Sequence, residues 1–273
     1  MKVIAFSGNL GNQVFYCAFK DYIESVYPDT RVYRYVMHNS PQVSVDRCFC
    51  LSLPRHSIGV DLISFFVFYS SIICKKLFGK TVNGSFLCSE GQINTDAIFF
   101  SNYLQDKFFY EKRNSSWLQI RVPLDVSEEY KKYEDLILNS DSICIHVRRG
   151  DYIKPNSSYE DLSVTDYYDQ AIKIAKEKFP GGKLFFFSDD LDYVRKRFGE
   201  NAYFVDCNKG SDSFLDIKLM SLAKVNIMAN STFSYWASYM GHENKLVICP
   251  SKWFRSSTGR PSPNIMFDSW IKL

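Results

Sequence analysis

Short apolar runs alternate with helix-like segments through the second half of the chain, and this alternation most restricts the fold. Residues 168, 171, 172, 175 and 179 are apolar at helical spacing, so one face of that segment is predicted to pack on a sheet. Strands alternating with helices indicate a parallel, doubly wound α/β sheet. The predicted strands are 142–147, 184–187, 203–205, 225–229 and 246–249.

The first half shows the same elements less regularly. Residues 2–7 are a predicted strand, the glycine turn 8–13 leads into a helix that ends near Val26, and 32–36 is the next strand. A hydrophobic content of 46% and an aromatic content of 16% favour a folded globule over disorder. We predict two domains, residues 1–138 and 139–273.

The strand at 142–147 runs directly into Arg148, Arg149, Gly150 and Asp151. Ligands of open α/β sheets bind beyond the carboxyl ends of the strands, so this cluster is well placed for chemistry. Arginine offers a planar fork of donors and can hold a diphosphate without a metal. Two alternatives are a solvated ion pair and an integrin-type Arg-Gly-Asp motif, although a tripeptide is too short to be specific.

Polar residues also follow the other predicted strands, at 188–190, 206 and 230–234. Residues 230–234 stand between a strand and a helix, where hydroxyl and N–H groups can wrap a phosphate. The alternative is ordinary helix capping. Asp189 and Asp190 look like a metal-binding pair, but one can cap the next helix and no third hard ligand is evident, so we predict no metal.

Several function classes are disfavoured by composition. A net charge of +3 gives little support to nucleic-acid binding. Eight cysteines without a C-x-x-C pair indicate free thiols in a reducing cytosol rather than disulfides or zinc ligands. The sequence M-K-V-I-A-F-S-G is interpreted as a first strand rather than a signal peptide.

The apolar run at 62–74 raises the question of a membrane. Thirteen residues are too few for the roughly 20 that span a bilayer core. We therefore predict a buried helix. The alternative is a peripheral contact, because Lys75 and Lys76 follow directly and suit an anionic membrane surface.

Five ordered blocks resemble the α-1,2-fucosyltransferases over nearly the whole chain. They are G-N-L-G-N-Q-V-F-Y-C-A (8–18), H-V-R-R-G-D-Y (146–152), F-F-S-D-D (186–190), D-I-K-L-M-S-L-A-K-V-N-I-M-A-N-S-T-F-S-Y-W-A (216–237) and V-I-C-P-S-K-W-F (247–254). Relatives commonly have Gly in place of Asn9, and many have Trp in place of Tyr235. The acceptor side is the part that these departures affect.

The resemblance implies a GT-B-like fold, with two Rossmann-like domains facing a cleft. The N-terminal domain is then the acceptor side and the C-terminal domain binds GDP-fucose. It further implies an inverting galactoside α-1,2-fucosyltransferase that uses GDP-β-L-fucose, with no metal and no cofactor.

The resemblance also implies roles for individual residues. Arg148 is expected to neutralise the leaving diphosphate, His146 to contact the nucleoside, and Asp216 to pair with guanine N1 and N2. Asn12 and Gln13 are expected to reach the fucose or phosphate from the first domain. The expected phosphate-and-base loop is Asn230, Ser231, Thr232 and Phe233.

The acceptor hydroxyl must lose a proton, and a carboxylate is the simplest base. Asp151 is the first candidate and Glu160 the second, although Asp151 can instead serve only to orient Arg149. Side-chain alternation puts Arg148 on the face of His146 and Arg149 on the opposite face. Arg149 is therefore expected to hold the loop through Asp151 or Glu160.

Two rival functions stay open: a GDP-sugar-binding protein without catalysis, and a fucosyltransferase of different linkage. The expected setting is a bacterial cytoplasmic enzyme, with a lipid-linked acceptor at the inner membrane face as one form of it. The acceptor is expected to be a galactose-containing glycan of a surface polysaccharide or glycoprotein, and no nucleic-acid partner is expected.

Overall fold

The computed structural model describes residues 1–36, 43–79, 84–89, 92–199 and 201–273. They divide into two compact units, Met1–Arg113 and Asn114–Leu273. This division falls before the predicted boundary at 138/139, because the intervening segment packs on the second unit. The Trp117 indole N–H, for example, donates to the Tyr239 hydroxyl at 2.7 Å.

The first unit contains a four-stranded sheet in the order β2-β1-β4-β3, with every pairing between these strands parallel. The predicted strands and helix at its start are confirmed. Its elements are β1 (Lys2–Phe6), α1 (Leu10–Val26), β2 (Val32–Val36), α2 (Val45–Cys48), α3 (Ile58–Phe78), β3 (Leu87–Cys88) and β4 (Phe99–Phe100).

Helix α3 corrects the prediction of a buried helix at 62–74. It has 21 residues, and only Ser64 and Phe68 are buried. Phe68 stacks on Tyr35 and meets Phe99 edge-on, so a single side of the helix packs on the sheet. Within the described ranges, it is the one helix long and apolar enough to cross a membrane by length and composition. Its most apolar stretch of 18 residues has a mean hydropathy of 1.6, and 11% of that stretch is buried.

The second unit contains a six-stranded, all-parallel sheet in the order β10-β9-β8-β5-β6-β7. Both units thus have the predicted α/β architecture, with a parallel sheet in each. The elements are α4 (Glu128–Leu138), β5 (Ser142–Val147), α5 (Tyr167–Lys178), β6 (Lys183–Ser188), α6 (Leu191–Phe198), β7 (Tyr203–Val205), α7 (Leu215–Ser221), β8 (Val225–Ile227), α8 (Thr232–Tyr239), β9 (Leu246–Cys249) and β10 (Ile271–Lys272).

Strand β5 is central in this sheet, between β6 and β8. Its residues Ile143, Ile145 and Val147 pack in one cluster with Tyr168 and Ala171 of α5. The predicted alternation along β5 and the predicted sheet-facing side of α5 are therefore confirmed. All eight cysteines are free, as predicted, and five of them are buried.

Candidate functional site

The carboxyl ends of β5, β6 and β8 lie side by side because these strands are parallel neighbours. The residues that follow them therefore meet at one edge of the sheet. Arg148 follows β5, Asp189 follows β6, and Ser231 lies between β8 and α8. The predicted convergence of strand ends is present in the second unit.

Arg148 is held between two carboxylates. Its Nε and Nη2 donate to Asp151 Oδ1 at 3.1 and 2.6 Å, and its Nη1 lies 3.0 Å from Asp189 Oδ2. Burial alone would lower the pKa of Arg148, but Asp189 and Asp151 outweigh this effect and raise it. The guanidinium is therefore a permanent cation, fixed in orientation and still 30% exposed.

Arg149 points away from Arg148 and is engaged with other partners. Its Nε donates to Asp190 Oδ2 at 3.0 Å, its Nη1 donates to Ser163 Oγ at 2.5 Å, and the guanidinium carbon lies 3.5 Å from the centre of the Tyr193 ring. The expected facing is confirmed, but the expected partner is wrong. Asp190 and Ser163, instead of Asp151 or Glu160, hold this side chain.

Asp190 also caps helix α6, as one of the two aspartates was predicted to do. Its Oδ1 accepts the N–H of Tyr193 at 3.1 Å. This backbone hydrogen bond and the bond from Arg149 lower the pKa of Asp190. The residue is thus an ionised structural link between the helix start and the arginine loop.

Asp189 anchors the arginine loop, a role that the sequence analysis did not predict for it. Its Oδ1 accepts the N–H of Arg149 at 2.9 Å, while its Oδ2 pairs with Arg148. A Cβ atom on Gly150 would lie 2.4 Å from that Oδ2, so the anchor requires glycine there. The available signal was an Arg-Arg pair and an Asp-Asp pair at the ends of two neighbouring predicted strands.

The formal net charge of the cluster is −1, because Asp151, Asp189 and Asp190 face Arg148 and Arg149. A diphosphate is repelled by such a cluster unless an arginine exchanges a carboxylate for a phosphate. Asp189 is fixed through both oxygens, whereas Asp151 has a side chain that is 53% exposed. Asp151 is therefore the carboxylate that can be displaced from Arg148.

Asn230 is buried, and its hydrogen bonds join its own loop to two others. Its amide Nδ2 donates to the carbonyls of Glu160 and Trp253 at 2.9 and 2.8 Å, and the residue is 1% exposed. Its own carbonyl accepts the Tyr152 hydroxyl at 3.0 Å. Asn230 thus positions the neighbouring loops. Glu160 is held here by its backbone and keeps a partly exposed side chain.

Arg255 holds the loop that follows Asp151, a role that no sequence pattern indicated. Its guanidinium donates to the carbonyls of Tyr159 and Tyr152 at 3.0 and 3.1 Å, and also to those of Lys154 and Pro155. One side chain thus fixes this irregular loop by hydrogen bonds to four of its backbone carbonyls.

His146 is a neutral, buried imidazole beside the phosphate-loop candidates. Burial and the adjacent Arg148 lower its pKa to about 3. Its Nδ1 is buried without a hydrogen-bond partner among the described residues, and its ring centre lies 5.5 Å from that of Phe233. Ser231 caps α8 by accepting the N–H of Phe233, so the capping interpretation holds. Contact of His146, Ser231, Thr232 and Phe233 with a ligand stays a prediction.

Asp216 lies in the first turn of α7 and has no cation beside it in the described structure. Its Oδ1 accepts the Asn208 amide at 2.7 Å. Burial raises its pKa to about 7, against the lowering effect of that hydrogen bond. A carboxyl group held near neutrality in this way gains from any ligand that offers it N–H donors.

Asn12 and Gln13, the two candidate binding residues of the first unit, differ in whether the side chain is free to contact a ligand. Gln13 is fully buried, and its amide is used twice: Nε2 donates to the Val43 carbonyl and Oε1 accepts the Val45 N–H, both at 2.9 Å. Gln13 therefore fixes the start of α2, and the structure does not present it to a ligand. Asn12 accepts a hydrogen bond from Gln105 at 2.9 Å and stays partly exposed.

The described residues include no group of three or more His, Cys, Asp or Glu side chains arranged to hold a metal. Asp189 and Asp190 are each paired with an arginine. The chemistry available at this strand end is therefore a fixed guanidinium, an exposed carboxylate and a helix start.

The sequence model of Glycosyl transferase family 11 matches residues 91–273. An alpha-1,2-colitosyltransferase of Escherichia coli is 29% identical over 299 residues, which cover 99% of this chain and 98% of the relative. The E. coli O-antigen biosynthesis glycosyltransferase WbnK is 31% identical over 210 residues, 63% of this chain and 68% of its own. The E. coli ADP-heptose lps heptosyltransferase II structure shares 12% identity at a TM-score of 0.48, covering 100% and 90% of the two chains.

Proposed function

Because the chain belongs to glycosyltransferase family 11, we propose that it transfers L-fucose from GDP-β-L-fucose to the 2-hydroxyl of a galactoside, with inversion at the anomeric carbon. The observation that carries this proposal is the fixed guanidinium of Arg148 at the end of β5, gripped by Asp189 and by a displaceable Asp151. This geometry suits the departure of a diphosphate.

Glycosyl transfer passes through an oxocarbenium-like state in which charge builds on the leaving phosphate oxygen. In the proposed reaction, the donor phosphate replaces Asp151 on Arg148. The acceptor oxygen then bonds to the anomeric carbon while the bond from that carbon to the phosphate oxygen breaks. The electron pair leaves on GDP, where Arg148 stabilises it.

The displaced Asp151 is then free to take the proton of the acceptor hydroxyl, which completes the balance of the step. Glu160 is the second candidate for this base. Its backbone is held beside Asn230 and its side chain is partly exposed. The proposed mechanism needs no metal ion, since a guanidinium and the N-terminal end of α8 supply the positive charge.

Recognition of the base is proposed for Asp216. Guanine offers the N1–H and N2–H donors that a carboxylate accepts as a pair, and adenine does not offer this pattern. Burial holds the pKa of Asp216 at about 7, and donors aligned on the carboxyl group would stabilise its ionised form. This supports a guanosine diphosphate sugar as donor.

Colitose is the alternative sugar, because one relative is an alpha-1,2-colitosyltransferase. Fucose and colitose differ at the 3-hydroxyl, which colitose lacks. The deciding experiment offers the purified protein GDP-fucose and GDP-colitose in parallel with a panel of β-galactosides, and determines the linkage by NMR. Transfer of neither sugar, with GDP still bound, would instead support a nucleotide-sugar-binding protein.

We also propose that the product belongs to a cell-surface polysaccharide and that the reaction takes place in the cytoplasm, at the inner face of the membrane. The similarity to WbnK, an O-antigen biosynthesis glycosyltransferase, supports the polysaccharide. The acceptor is then a galactose-containing glycan carried on a lipid.

A further inference from the structure

Helix α3 presents a broad apolar surface outside the sheet of the first unit. Six large side chains on it are between 44% and 69% exposed: Leu62, Phe65, Phe66, Tyr69, Ile73 and Leu77. At 3.6 residues per turn, these six lie within about 120° of the helix circumference. We call them the α3 face. An exposed apolar surface of this size marks an interaction site on a folded protein.

The opposite side of the helix is already used. Ser64 is fully buried, and Phe68, 2% exposed, has its ring centre 5.6 Å from that of Tyr35 and 5.8 Å from that of Phe99. A helix packed along a sheet in this way cannot turn to cross a bilayer without losing these contacts. The exposed side of α3 can therefore contact another surface only with the helix axis parallel to that surface.

The charges on α3 lie at its ends. Asp61 in the first turn pairs with His56 at 2.8 Å, whereas Lys75 and Lys76 occupy the last turn. No acidic side chain lies on the α3 face. At 3.6 residues per turn, Lys76 lies within the arc of the α3 face, whereas Lys75 lies on the side of Ser64 and Phe68. A cation on an apolar face is an arrangement found in helices that rest on anionic lipid headgroups.

A second protein surface suits this face less well than lipid does. Paired helices meet along a narrow apolar seam flanked by charged residues, and other protein interfaces place polar groups around an apolar centre. The α3 face is about 120° wide, and the exposed side chains of Ile63 and Ile72 extend the apolar surface on either side of it. From these observations we propose that α3 docks in the plane of an anionic lipid bilayer through this face.

The test uses the purified full chain and vesicles that contain no sugar or nucleotide, so its outcome is separate from that of the transfer reaction. Binding is measured by co-sedimentation with phosphatidylglycerol/phosphatidylethanolamine vesicles and with phosphatidylcholine vesicles. The test variant combines Leu62→Gln, Phe66→Gln and Ile73→Gln. The control combines Leu124→Gln, Leu138→Gln and Val164→Gln, which change exposed apolar side chains of the second unit.

The wild type and the control should bind the anionic vesicles equally within about twofold. The test variant should bind at least about tenfold more weakly, because each changed side chain loses its burial in the acyl region. Lys76→Gln should weaken binding at low salt, with little further effect at about 0.5 M NaCl. Unchanged binding by the test variant, or no binding by the wild type, would overturn the proposal.

Two further measurements keep the outcome clear. If the wild type is a dimer by sedimentation velocity and the test variant a monomer, the face is a contact between copies and the lipid proposal is wrong. If the test variant fails to fold, Leu62→Trp replaces it, since the four native tryptophans all lie in the second unit. Its added fluorescence should be quenched by brominated lipids, and an unquenched signal would refute the docking.

Discussion

Replacing Gly150 by alanine should disable the enzyme by displacing the Asp189 carboxylate, although neither the added methyl group nor Asp189 is proposed to contact a substrate. The added Cβ would lie 2.4 Å from Asp189 Oδ2, and an ordinary contact begins at 3.4 Å. The carboxylate must therefore move by about 1 Å, which stretches its 3.0 Å contact with Arg148 beyond a hydrogen bond.

The size of the effect follows from the geometry of the arginine. A charge-assisted hydrogen bond contributes about 1.5–3 kcal/mol, and a displacement of about 1 Å in a positioned group can cost about 100-fold in rate. We expect Gly150→Ala to lower kcat for transfer from GDP-fucose by about 100-fold. The donor KM should change less, since Arg148 keeps its charge and its contact with Asp151.

Single-turnover transfer measures this effect directly. Gly181→Ala is the matched control, because a Cβ there meets nothing within 4 Å, and it should keep wild-type kcat. Asp189→Ala removes the clashing atom, so adding Gly150→Ala to it should cost little more. Additive losses in this double-mutant cycle, or Gly150→Ala turning over within about threefold of wild type, would refute the positioning argument.

Three further predictions concern the charges of the site. Arg148→Lys should lower kcat by about 10²–10³-fold because it loses the planar fork, whereas Arg149→Lys should lose mainly thermal stability; the reverse pattern, with both variants folded by circular dichroism, would contradict the two roles. GDP affinity should rise between pH 6 and 8, as the Asp216 carboxyl, with its pKa of about 7, ionises and accepts guanine donors. In calorimetry, Asp216→Asn should flatten this dependence and weaken binding at pH 8 by about 1.5–3 kcal/mol, and unchanged affinity would remove the residue from the site. Activity should survive EDTA; complete loss restored by Mg²⁺ or Mn²⁺ would instead make Asp189 and Asp190 metal ligands.

The sequence by itself determined β1, α1, β2 and the strands β5 to β9, together with the directions of side chains along β5, but not the short strands β3, β4 and β10. The alternation that separates Arg148 from Arg149 is a local property of β5, so it could be predicted from six consecutive residues. The parallel pairing of the second sheet was predicted from the same local patterns, because strands that alternate with helices are typical of parallel sheets, whereas the strand order was not predicted. The strand-end position of the candidate site came with that topology.

Only the tertiary structure decided which groups meet at that edge. Arg148 and Asp189 lie 41 positions apart, and the sequence offered several carboxylates at similar distances along the chain. The same holds for Gln13 and Asn230, whose side chains were predicted to bind ligand and are instead taken up by backbone groups of other loops.

The environment of α3 was also beyond the sequence. An apolar run has the same composition whether it is buried in a core or exposed, and the prediction of a buried helix followed only from the composition and length of the run. The structure shows that the sheet of the first unit covers only the side of α3 that carries Ser64 and Phe68. Local periodicity fixes the direction of a side chain, whereas burial and partner depend on what the rest of the chain brings against it.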